Sequence, residues 1–407
     1  MRRVVVTGMG GVTALGCAWE TIEERLRGGV NAVRRMPEWD YVENLNTRLG
    51  APIDDFRPPL RYPRKLLRSM GRVSLLSVCA SEKALADSGS IDDPSLGDGR
   101  TGIAYGSSSG SVAPVCAFGR LQESGSMRGV TSTSYIQMMP HTAAVNVGVF
   151  FGLRGRIIPT SSTCVSGSQG IGYACEAIRF GRQDAMLAGG AEELSVSSAA
   201  VFDTLFATSC RNDSPKSTPR PFDKERDGLV VGEGAATLFL EEYARAKARG
   251  ARIYAEIVGF SCNSDGRHVT QPDSAAMTAV MRQALDDAGI PASEVAYVSA
   301  HGTATDRGDA AEALATASVF GSETPISSMK SYIGHTLGAC GAIEAWWCVE
   351  MLRRGWFAPT INLGAPDPAC AALDHIVGEG RNIDAEYAVS NNFAFGGINT
   401  SLVFRRI

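Results

Sequence analysis

The sequence predicts an α/β protein built from two comparable series of strands and helices. Short apolar runs with strand character, such as residues 101–105 and 295–299, alternate with helix patterns along the chain. A break near residues 243–252 separates the two series. We therefore expect two α/β halves, residues 1–245 and residues 246–407, packed around a generous core.

Composition excludes several classes of protein. The net charge of -4 argues against a nucleic-acid-binding protein. The ten cysteines include no C-x-x-C pair and no His/Cys cluster at zinc spacing, so we expect no metal and a reduced, cytoplasmic setting. The apolar run after Met1 is too short for an export or membrane segment.

In the first series, the pattern predicts a strand that runs into a glycine turn, and then alternating helices and strands. The strands are residues 3–7 (turn at 8–11), 101–105, 184–190 and 235–240, and the helices are 19–27, 69–87 and 197–208. Residues 31–63 and 124–140 show little periodicity and are expected to be irregular. In the second series, we expect strands at 253–259, 295–299, 388–390 and 401–404 and helices at 274–288, 309–320 and 336–354.

The stretch from Ile157 to Gly170 organises the first half. A short apolar run that predicts a buried strand is followed by a helix pattern with almost no large side chains. The glycines of this helix would weaken it in isolation, which indicates a backbone pressed close to its neighbours. Cys164 stands at the junction, where the N–H groups and dipole of a first helical turn favour a thiolate. The alternative is a small core residue, as most free cysteines are.

Two of the five histidines lie in glycine-flanked turns directly after apolar runs. His301 begins the segment H-G-T-A-T, and His335 precedes a long helix pattern. Loops at strand ends are where α/β folds place catalytic side chains. A lone histidine would be interpreted as structural, but two in this context, together with Cys164, predict a shared site.

A lysine and a glutamate near His335 form the expected ion pair of the second half. Lys330 precedes His335, and Glu344 lies in the otherwise apolar helix pattern that follows. A buried lysine needs a carboxylate partner, so we expect the two to pair, although an exposed lysine and an unrelated glutamate is the alternative. Asp309 and Glu312 have the spacing of a helix-start capping box that would hold the His301 loop.

A loop of aromatics and glycines, N-N-F-A-F-G-G-I-N, precedes the last strand and contains Phe393 and Phe395. Such a loop can flex and bring a backbone N–H close to a reacting carbonyl. The alternative is a tight turn with core aromatics.

Taken together, these motifs resemble the β-ketoacyl-[acyl carrier protein] synthases of the elongating, type II class, over essentially the whole chain. They are the cysteine element, H-G-T-x-T, S-x-x-K-x-x-x-G-H-x-x-G-A-x-G-x-x-E, N-x-F-x-F-G-G and R-P-F-D-K-E-R-D-G. The resemblance implies a thiolase-like fold, with two similar halves in α-β-α-β-α layers, usually assembled as a homodimer. It implies no cofactor of the enzyme's own, because phosphopantetheine arrives on the carrier protein.

The resemblance also implies a decarboxylative Claisen condensation. Cys164 would accept an acyl group, with the oxyanion held by the N–H groups of Cys164 and Phe395. His301 and His335 would bind the thioester oxygen of malonyl carrier protein, and Lys330, paired with Glu344, would orient them. Loss of CO₂ would leave an enolate that attacks the acyl-Cys164.

Further residues match family positions outside the catalytic set. These are the carrier-protein docking residues Arg64, Lys65, Arg68, Arg128 and Arg211, the pantetheine-binding residues Thr303 and Thr305, and the gate residues Asp265, His268 and Thr270, which would move with the Phe393–Phe395 loop.

Two departures from the family pattern are present. Ala394 and Ile398 replace the more usual glycine and threonine of the final loop, and the added methyl groups should restrict its backbone. Ser109 replaces a bulkier residue of the acyl pocket, and the residues around 132–139 differ from the common housekeeping pattern. Together they predict an unusual acyl chain, for example an unsaturated, polyene or polyketide-like one.

Two other functions remain open at this point. A thiolase would share the fold but use coenzyme A and a second reactive cysteine. An inactive chain-length-factor partner of a heterodimeric synthase would normally lack the nucleophile.

Overall fold

The computed structural model describes residues 1–407 and contains thirteen helices and sixteen strands. The helices are α1 (Trp19–Arg27), α2 (Arg64–Leu67), α3 (Arg72–Asp87), α4 (Val112–Ser124), α5 (Ser134–Met138), α6 (Thr142–Phe151), α7 (Ser166–Arg179), α8 (Val196–Asp203), α9 (Tyr243–Ala248), α10 (Ser274–Ala288), α11 (Asp306–Phe320), α12 (Lys330–Ile333) and α13 (Cys340–Arg354). The strands are β1 (Val4–Thr13), β2 (Arg34–Arg35), β3 (Leu49–Ala51), β4 (Thr101–Gly106), β5 (Ile157–Thr160), β6 (Ala185–Glu192), β7 (Val231–Gly232), β8 (Gly234–Glu242), β9 (Ala255–Ser264), β10 (Val295–Ser299), β11 (Pro325–Ser327), β12 (Trp356–Phe357), β13 (Asp374–His375), β14 (Arg381–Asn382), β15 (Tyr387–Phe393) and β16 (Ile398–Arg406).

Eleven strands form one sheet in the order β13-β11-β10-β15-β16-β9-β1-β8-β6-β4-β5. In the first half, β1 pairs antiparallel with β8, and β8 pairs antiparallel with β6. The next two pairs, β6 with β4 and β4 with β5, are parallel. From β9 outward, the second half repeats this sequence of directions through β16, β15, β10 and β11. The two halves therefore share one topology, which periodicity along the chain alone does not reveal.

The helices form three layers around the two halves of the sheet. α3 packs on β1 and β8, α10 packs on β9 and β16, and α7 and α13 lie between the halves and contact strands of both. The largest apolar cluster surrounds this central pair, and smaller clusters lie under α3 and α10. This is the predicted α-β-α-β-α arrangement of a thiolase-like fold. Helix α9 connects the strands of the first half to those of the second. The boundary expected at residue 245 lies within this helix.

The glycine turn predicted at residues 8–11 is wrong, because β1 continues unbroken to Thr13. A Cβ atom at Gly10 would lie 2.4 Å from the Cβ of Lys83, and one at Gly11 would lie 2.2 Å from the ring of Trp346. The glycines therefore permit close packing of α3 and α13 against the strand.

Residues 101–156 contain more helix than the sequence predicts. The patterns indicate no helix at α4 or α6, and α5 lies inside the stretch expected to be irregular. Small residues, Pro114 and β-branched valines weaken the helical pattern of these segments, and tertiary packing overrides that local preference. Residues 31–63 are also less irregular than expected, since β2 and β3 join β7 in a small sheet.

The strand predicted to be buried before Cys164 is β5, the last strand of the large sheet. Ile157 is 43% exposed there, because only β4 pairs with this strand. None of the helices is long and apolar enough to cross a membrane. All ten cysteines have free thiols.

Candidate active site

Cys164 lies in a single 3₁₀ turn, Thr163–Val165, between the end of β5 and the start of α7. It therefore precedes the helix rather than occupying its first turn. Thr163 has a left-handed backbone (φ 50°), which is unfavourable for a β-branched residue. Hydrogen bonds fix this turn, since the Ser166 hydroxyl donates to the Thr163 carbonyl at 2.8 Å and Thr163 Oγ1 donates to the Phe395 carbonyl at 3.1 Å.

α7 is as deeply packed as its glycine content predicts. A Cβ atom at Gly170 would lie 2.8 Å from the carbonyl oxygen of Ala104, and one at Gly172 would lie 2.2 Å from the ring of Phe260. These residues belong to both halves of the sheet. The helix that follows Cys164 is thus pressed between the two halves.

Two histidines of the second half lie beside the sulfur of the first. Cys164 Sγ is 3.0 Å from His335 Nε2, and the rings of His301 and His335 are perpendicular with centroids 5.2 Å apart. One ligand atom of each of the three side chains lies within 4.8 Å of the other two. The predicted shared site is therefore assembled, from residues up to 171 positions apart.

Hydrogen bonding assigns the same tautomer to both imidazoles. The N–H of Leu337 donates to His335 Nδ1 at 3.2 Å, and the Lys330 ammonium lies 3.1 Å from His301 Nδ1. Because both neighbours are donors, each Nδ1 accepts and each neutral ring carries its proton on Nε2. The two rings can therefore donate hydrogen bonds from Nε2.

A buried ion pair lies behind His301. Lys330 Nζ is 2.5 Å from Glu344 Oε1, and Asn392 Nδ2 donates to Glu344 Oε2 at 2.6 Å. The predicted partnership of Lys330 and Glu344 is thus present, and both side chains are almost completely buried. Asn392 is a member of this network that the sequence did not single out, although it belongs to the N-x-F-x-F-G-G motif.

Burial and the ammonium group keep the imidazoles neutral. Burial lowers the pKa of His301 well below its usual range, and the charges of Lys330 and His335 lower it further. Burial and Lys330 lower the pKa of His335 in the same way. Burial also opposes the charge of Lys330, but the groups of Cys340 and Glu344 outweigh it, so the pKa of Lys330 is raised. The ammonium remains charged beside two neutral rings.

The thiolate favoured by the sequence interpretation is not the resting form of Cys164. Burial raises the pKa of Cys164 to about 11, against the lowering effects of the Lys330 charge and of the backbone N–H groups of Phe395 and Cys164 itself. Cys164 therefore rests as a thiol at neutral pH. The N–H groups of Phe395 and Cys164, which partly offset the effect of burial on this pKa, can stabilise negative charge on or beside the sulfur.

Two buried carboxylates fix the loop that carries His301. Glu312 accepts hydrogen bonds from the N–H groups of His301 and Gly302, both at 2.7 Å, and Asp309 accepts from Thr303 at 3.0 Å and Phe222 at 2.6 Å. The predicted capping box is wrong, because α11 begins at Asp306, before either residue. The expected positioning of the loop is nevertheless present.

A cavity of about 590 Å³ leads to Cys164, His301 and His335. Of the residues predicted for the site, it is lined by Cys164, Asp265, Thr270, His301, Thr303, Thr305, His335, Phe393 and Phe395. Lys330 and Glu344 lie behind His301, and His268 and Ser109 lie outside the lining. Lining residues that the sequence did not indicate include Phe202, Leu205, Phe206, Val269, Met277 and Arg307.

The two loops expected to form a gate are joined by backbone hydrogen bonds. The N–H of Asp265 donates to the Gly397 carbonyl at 2.9 Å, and the N–H of Gly396 donates to the Val269 carbonyl at 2.7 Å. Gly396 and Gly397 both have positive φ values (92° and 72°), which suits glycine. The loops can therefore move only as a unit or by breaking these bonds.

The residues predicted to dock the carrier protein differ in their surroundings. Arg64, Lys65, Arg68 and Arg128 are exposed and form no ion pair. Arg211 is half-buried, lies 3.4 Å from Asp227 and donates to the Glu225 carbonyl. The first four therefore present uncompensated positive charge, whereas Arg211 is held by acceptors of its own chain.

Ser109, the predicted acyl-pocket residue, belongs to a serine loop arranged around the buried Glu192. Ser107 Oγ and the Ser108 N–H donate to this carboxylate at 2.9 and 2.7 Å, and the N–H of Gly338 does so at 3.1 Å. Burial raises the pKa of Glu192 despite these bonds. Glu192 ties the loop to the segment after His335, a role that the sequence did not indicate.

Comparison with known proteins agrees with this geometry. Residues 1–246 match the family described as "Beta-ketoacyl synthase, N-terminal domain", and residues 254–364 match "Beta-ketoacyl synthase, C-terminal domain". The chain is 39% identical over 414 residues to 3-oxoacyl-[acyl-carrier-protein] synthase 2 of Vibrio harveyi, covering 100% of this chain and 99% of that one.

Solved structures show the same similarity. A beta-ketoacyl synthase from Burkholderia phymatum STM815 is 67% identical with a TM-score of 0.99, covering 100% of both chains. A type II PKS ketosynthase, solved with its acyl-carrier protein and bound to the hexaketide, is 31% identical with a TM-score of 0.88, covering 100% of this chain and 99% of that one. The chain belongs to the beta-ketoacyl synthase family.

Proposed function

We propose that the protein is a condensing enzyme that joins an acyl group on Cys164 to malonyl carrier protein, with loss of CO₂, in fatty acid or related polyketide or polyene synthesis. This proposal rests on one contact: Cys164 Sγ lies 3.0 Å from Nε2 of His335, which is one of the two neutral imidazoles of the site. The names of the similar synthases point to the same reaction.

In the first step, Cys164 sulfur attacks the thioester carbonyl of an acyl carrier protein. The N–H groups of Cys164 and Phe395, which face the sulfur, hold the oxyanion that forms. The bond to the pantetheine sulfur breaks, and the proton of the Cys164 thiol ends on the departing pantetheine thiol. His335 Nε2 donates to the Cys164 sulfur while it carries negative charge.

In the second step, His301 and His335 donate from Nε2 to the thioester oxygen of malonyl carrier protein. The bond to the carboxylate breaks, CO₂ leaves, and its electron pair forms an enolate stabilised by both donors. The carbanion attacks the acyl-Cys164 carbonyl and displaces the sulfur as a thiolate, which then takes up a proton from water. Each neutral ring can serve as this donor because its Nδ1 accepts from Lys330 or from the Leu337 N–H, which leaves its single proton on Nε2.

Lys330 serves as a positioning residue in this scheme. Its ammonium fixes the tautomer of His301 from behind and is itself held by Glu344. The nucleophile comes from the N-terminal half, residues 1–245, and the histidines and lysine come from the C-terminal half, residues 246–407. Both halves are therefore required for catalysis.

The carrier protein would dock on the exposed basic residues and thread its arm into the cavity. Positive charge for an acidic partner comes from Arg64, Lys65, Arg68 and Arg128. Arg211 would contribute less, because it already lies 3.4 Å from the carboxylate of Asp227. Thr303 and Thr305, whose hydroxyls are 2.9 Å apart on the cavity wall, would contact the pantetheine. The loops of Asp265, His268, Thr270 and Phe393–Phe395 would open and close over it. Ser109 would leave space for an unusual acyl chain.

The exposed edge of the sheet supports assembly into a dimer of identical chains. β5 has a free side at the end of the sheet, and Ile157 on it and Val149 on the adjacent α6 are exposed. Free strand edges with apolar side chains favour pairing with another strand. Sedimentation of the purified protein should give twice the chain mass, and Ile157→Lys should shift it toward the monomer. A monomeric wild-type protein would contradict this assembly.

The function is tested with acyl carrier protein and malonyl carrier protein labelled in the carboxylate carbon. Wild-type protein should release labelled CO₂ and form a product that is two carbons longer, and Cys164→Ser should form none. Activity with acetyl-coenzyme A alone would favour a thiolase. An inactive pure chain that becomes active only with a related subunit would favour the chain-length-factor alternative, against which the intact cysteine and histidines argue.

A further inference from the structure

A buried carboxylate that takes no part in the proposed reaction lies beside the site. Glu192, the last residue of β6, is 0% exposed, and it accepts hydrogen bonds from Ser107 Oγ at 2.9 Å, the Ser108 N–H at 2.7 Å and the Gly338 N–H at 3.1 Å. Burial raises the pKa of this carboxyl group despite these bonds. Burying such a group is costly, and groups perturbed in this way concentrate at functional sites.

The turn that Glu192 holds is strained. Leu337, which follows His335 by two residues, has a left-handed backbone (φ 48°), an uncommon state for a bulky residue that persists only where the surroundings impose it. A Cβ atom at Gly338 would lie 2.7 Å from Glu192 Oε2, so the turn rests directly against the carboxylate. The Gly338 N–H belongs to the peptide unit that follows Leu337. Its bond to Glu192 therefore helps to impose the Leu337 conformation.

The same turn fixes the tautomer of His335. The Leu337 N–H donates to His335 Nδ1 at 3.2 Å, which keeps the ring proton on Nε2, 3.0 Å from Cys164 Sγ. This bond spans only two residues, so it depends on the backbone conformation of Leu337. In a relaxed turn, Nδ1 would lose its donor and be free to carry the proton. Nε2 would then be an acceptor, which cannot donate to an enolate oxygen.

We propose that Glu192 is a positioning residue for His335. Its carboxylate holds the Gly338 N–H, this bond keeps the Leu337 backbone in its strained conformation, and the Leu337 N–H leaves the His335 proton on Nε2. The serine loop after β4 fixes the carboxylate in place from the other side. The effect on the reaction rests on the proposed function, whereas the effect on the tautomer does not.

The experiment compares the wild type with Glu192→Ala, Glu192→Gln and the control Glu193→Ala. Glutamine keeps an acceptor oxygen for the Gly338 N–H, and its amide can donate to the serine hydroxyls. Glu193 is the matched control because it is also buried and accepts from a backbone N–H, that of Val112 at 2.7 Å, outside the His335 turn.

Two measurements are made on each protein. NMR of nitrogen-15-labelled histidines shows which ring nitrogen carries the proton, and His335→Ala identifies the signals of His335. CO₂ release from malonyl carrier protein gives kcat and KM. Thermal unfolding reports the stability of each variant.

Glu192→Ala should show both His335 tautomers, whereas the wild type and Glu192→Gln should carry the proton on Nε2 alone. Glu192→Ala should also lower kcat about tenfold with KM unchanged, because part of the molecules lack one donor to the enolate and the rest hold it less well. Glu193→Ala should lose stability but keep the tautomer and kcat.

The proposal is overturned if Glu192→Ala keeps the single Nε2 tautomer, if Glu192→Gln behaves like Glu192→Ala, or if Glu193→Ala mixes the tautomers as well. If Glu192→Ala does not fold, Glu192→Asp replaces it. The serine contacts are shorter than the contact with Gly338, so they should retain the shorter side chain and leave Gly338 without its acceptor. A single Nε2 tautomer in Glu192→Asp would likewise overturn the proposal. If the wild type releases no CO₂, the proposed function fails, and the NMR signals still decide the role of Glu192.

Discussion

Lys330 Nζ lies 3.1 Å from His301 Nδ1, so a buried ammonium faces one side of an imidazole that lines the cavity beside Cys164 with its other side. A lysine so placed prevents protonation of the ring by repulsion and donates to its only free lone pair. The same ammonium is neutralised from behind by Glu344. This buried charge therefore sets the tautomer of His301 and adds to burial, the larger cause, in keeping the ring neutral.

Removing the ammonium should move the acid limit of decarboxylation to higher pH. His301 is active as the neutral ring, which is lost as pH falls through its pKa. Lys330 lowers that pKa, so Lys330→Met should raise it, and activity should fall off at a higher pH than in the wild type. CO₂ release from pH 5 to 8 measures this shift. Lys247→Met, which changes an exposed lysine of α9, should leave the profile unaltered, and an identical profile for both variants would contradict this role.

Breaking the buried ion pair should also destabilise the fold. Lys330→Met leaves the Glu344 carboxylate buried with Asn392 as its remaining partner, which should lower the free energy of unfolding by about 3–5 kcal/mol. The double variant Lys330→Met/Glu344→Leu should lose less than the sum of the two single variants. Denaturant unfolding measures all three, and additive losses would show that the pair is not coupled.

Alkylation of Cys164 should reveal its raised pKa. Because only the thiolate reacts, the rate with iodoacetamide should rise about tenfold for each pH unit between 7 and 10, toward the pKa of about 11. Lys330→Met should slow the reaction at fixed pH by raising that pKa further. Peptide mass spectrometry separates Cys164 from the exposed Cys17, Cys116 and Cys210. A rate that is constant above pH 7 would mean a resting thiolate.

The two histidines should differ in their effect on the sulfur. His335→Ala and His301→Ala should each reduce decarboxylation about 100-fold or more, because each removes one donor to the enolate oxygen. Only His335 contacts Cys164 Sγ, so only His335→Ala should also slow alkylation of Cys164. Equal effects of both variants on alkylation would contradict the assigned contact.

The central helices should tolerate no added methyl group. Gly172→Ala on α7 places a Cβ atom within the Phe260 ring contact and should destabilise the protein by about 1–3 kcal/mol. Gly119→Ala on α4, where no atom lies within 4 Å, should instead stabilise it by about 0.5–1 kcal/mol. Thermal unfolding of both variants tests the contrast. Similar shifts would show that α7 has room to adjust.

Sequence patterns singled out the three side chains that the structure brings together, because their signals are local. Cys164 and His301 each follow a strand and are flanked by small residues, which is typical of a strand end that exposes a side chain. His335 instead follows α12 and Gly334. The pairing of Lys330 with Glu344 follows from the cost of burying either charge alone. The context of the two histidines, together with Cys164, predicted a shared site, whereas their division between the two halves came from family resemblance, since spacing along the chain does not determine distance in space.

Features that depend on packing were missed. The glycines of β1 look like a turn in sequence, and only the close approach of Lys83 and Trp346 explains them. The pKa of Cys164 was predicted with the wrong sign, because a helix start favours the thiolate but complete burial opposes it more strongly. The exposed position of Phe206 was not indicated, because exposure of an apolar side chain cannot be inferred from its neighbours in sequence.

The placement of α7 between the two halves of the sheet has a consequence for synthesis of the chain. When a ribosome has translated only the strands up to β8, the inner face of α7 has no second sheet to cover it, since Phe260 on β9 does not yet exist. A nascent chain paused near residue 250 therefore exposes the apolar face of α7, and its Cys164 still lacks the neighbouring His335. Chaperone capture and aggregation should be concentrated in that interval of translation.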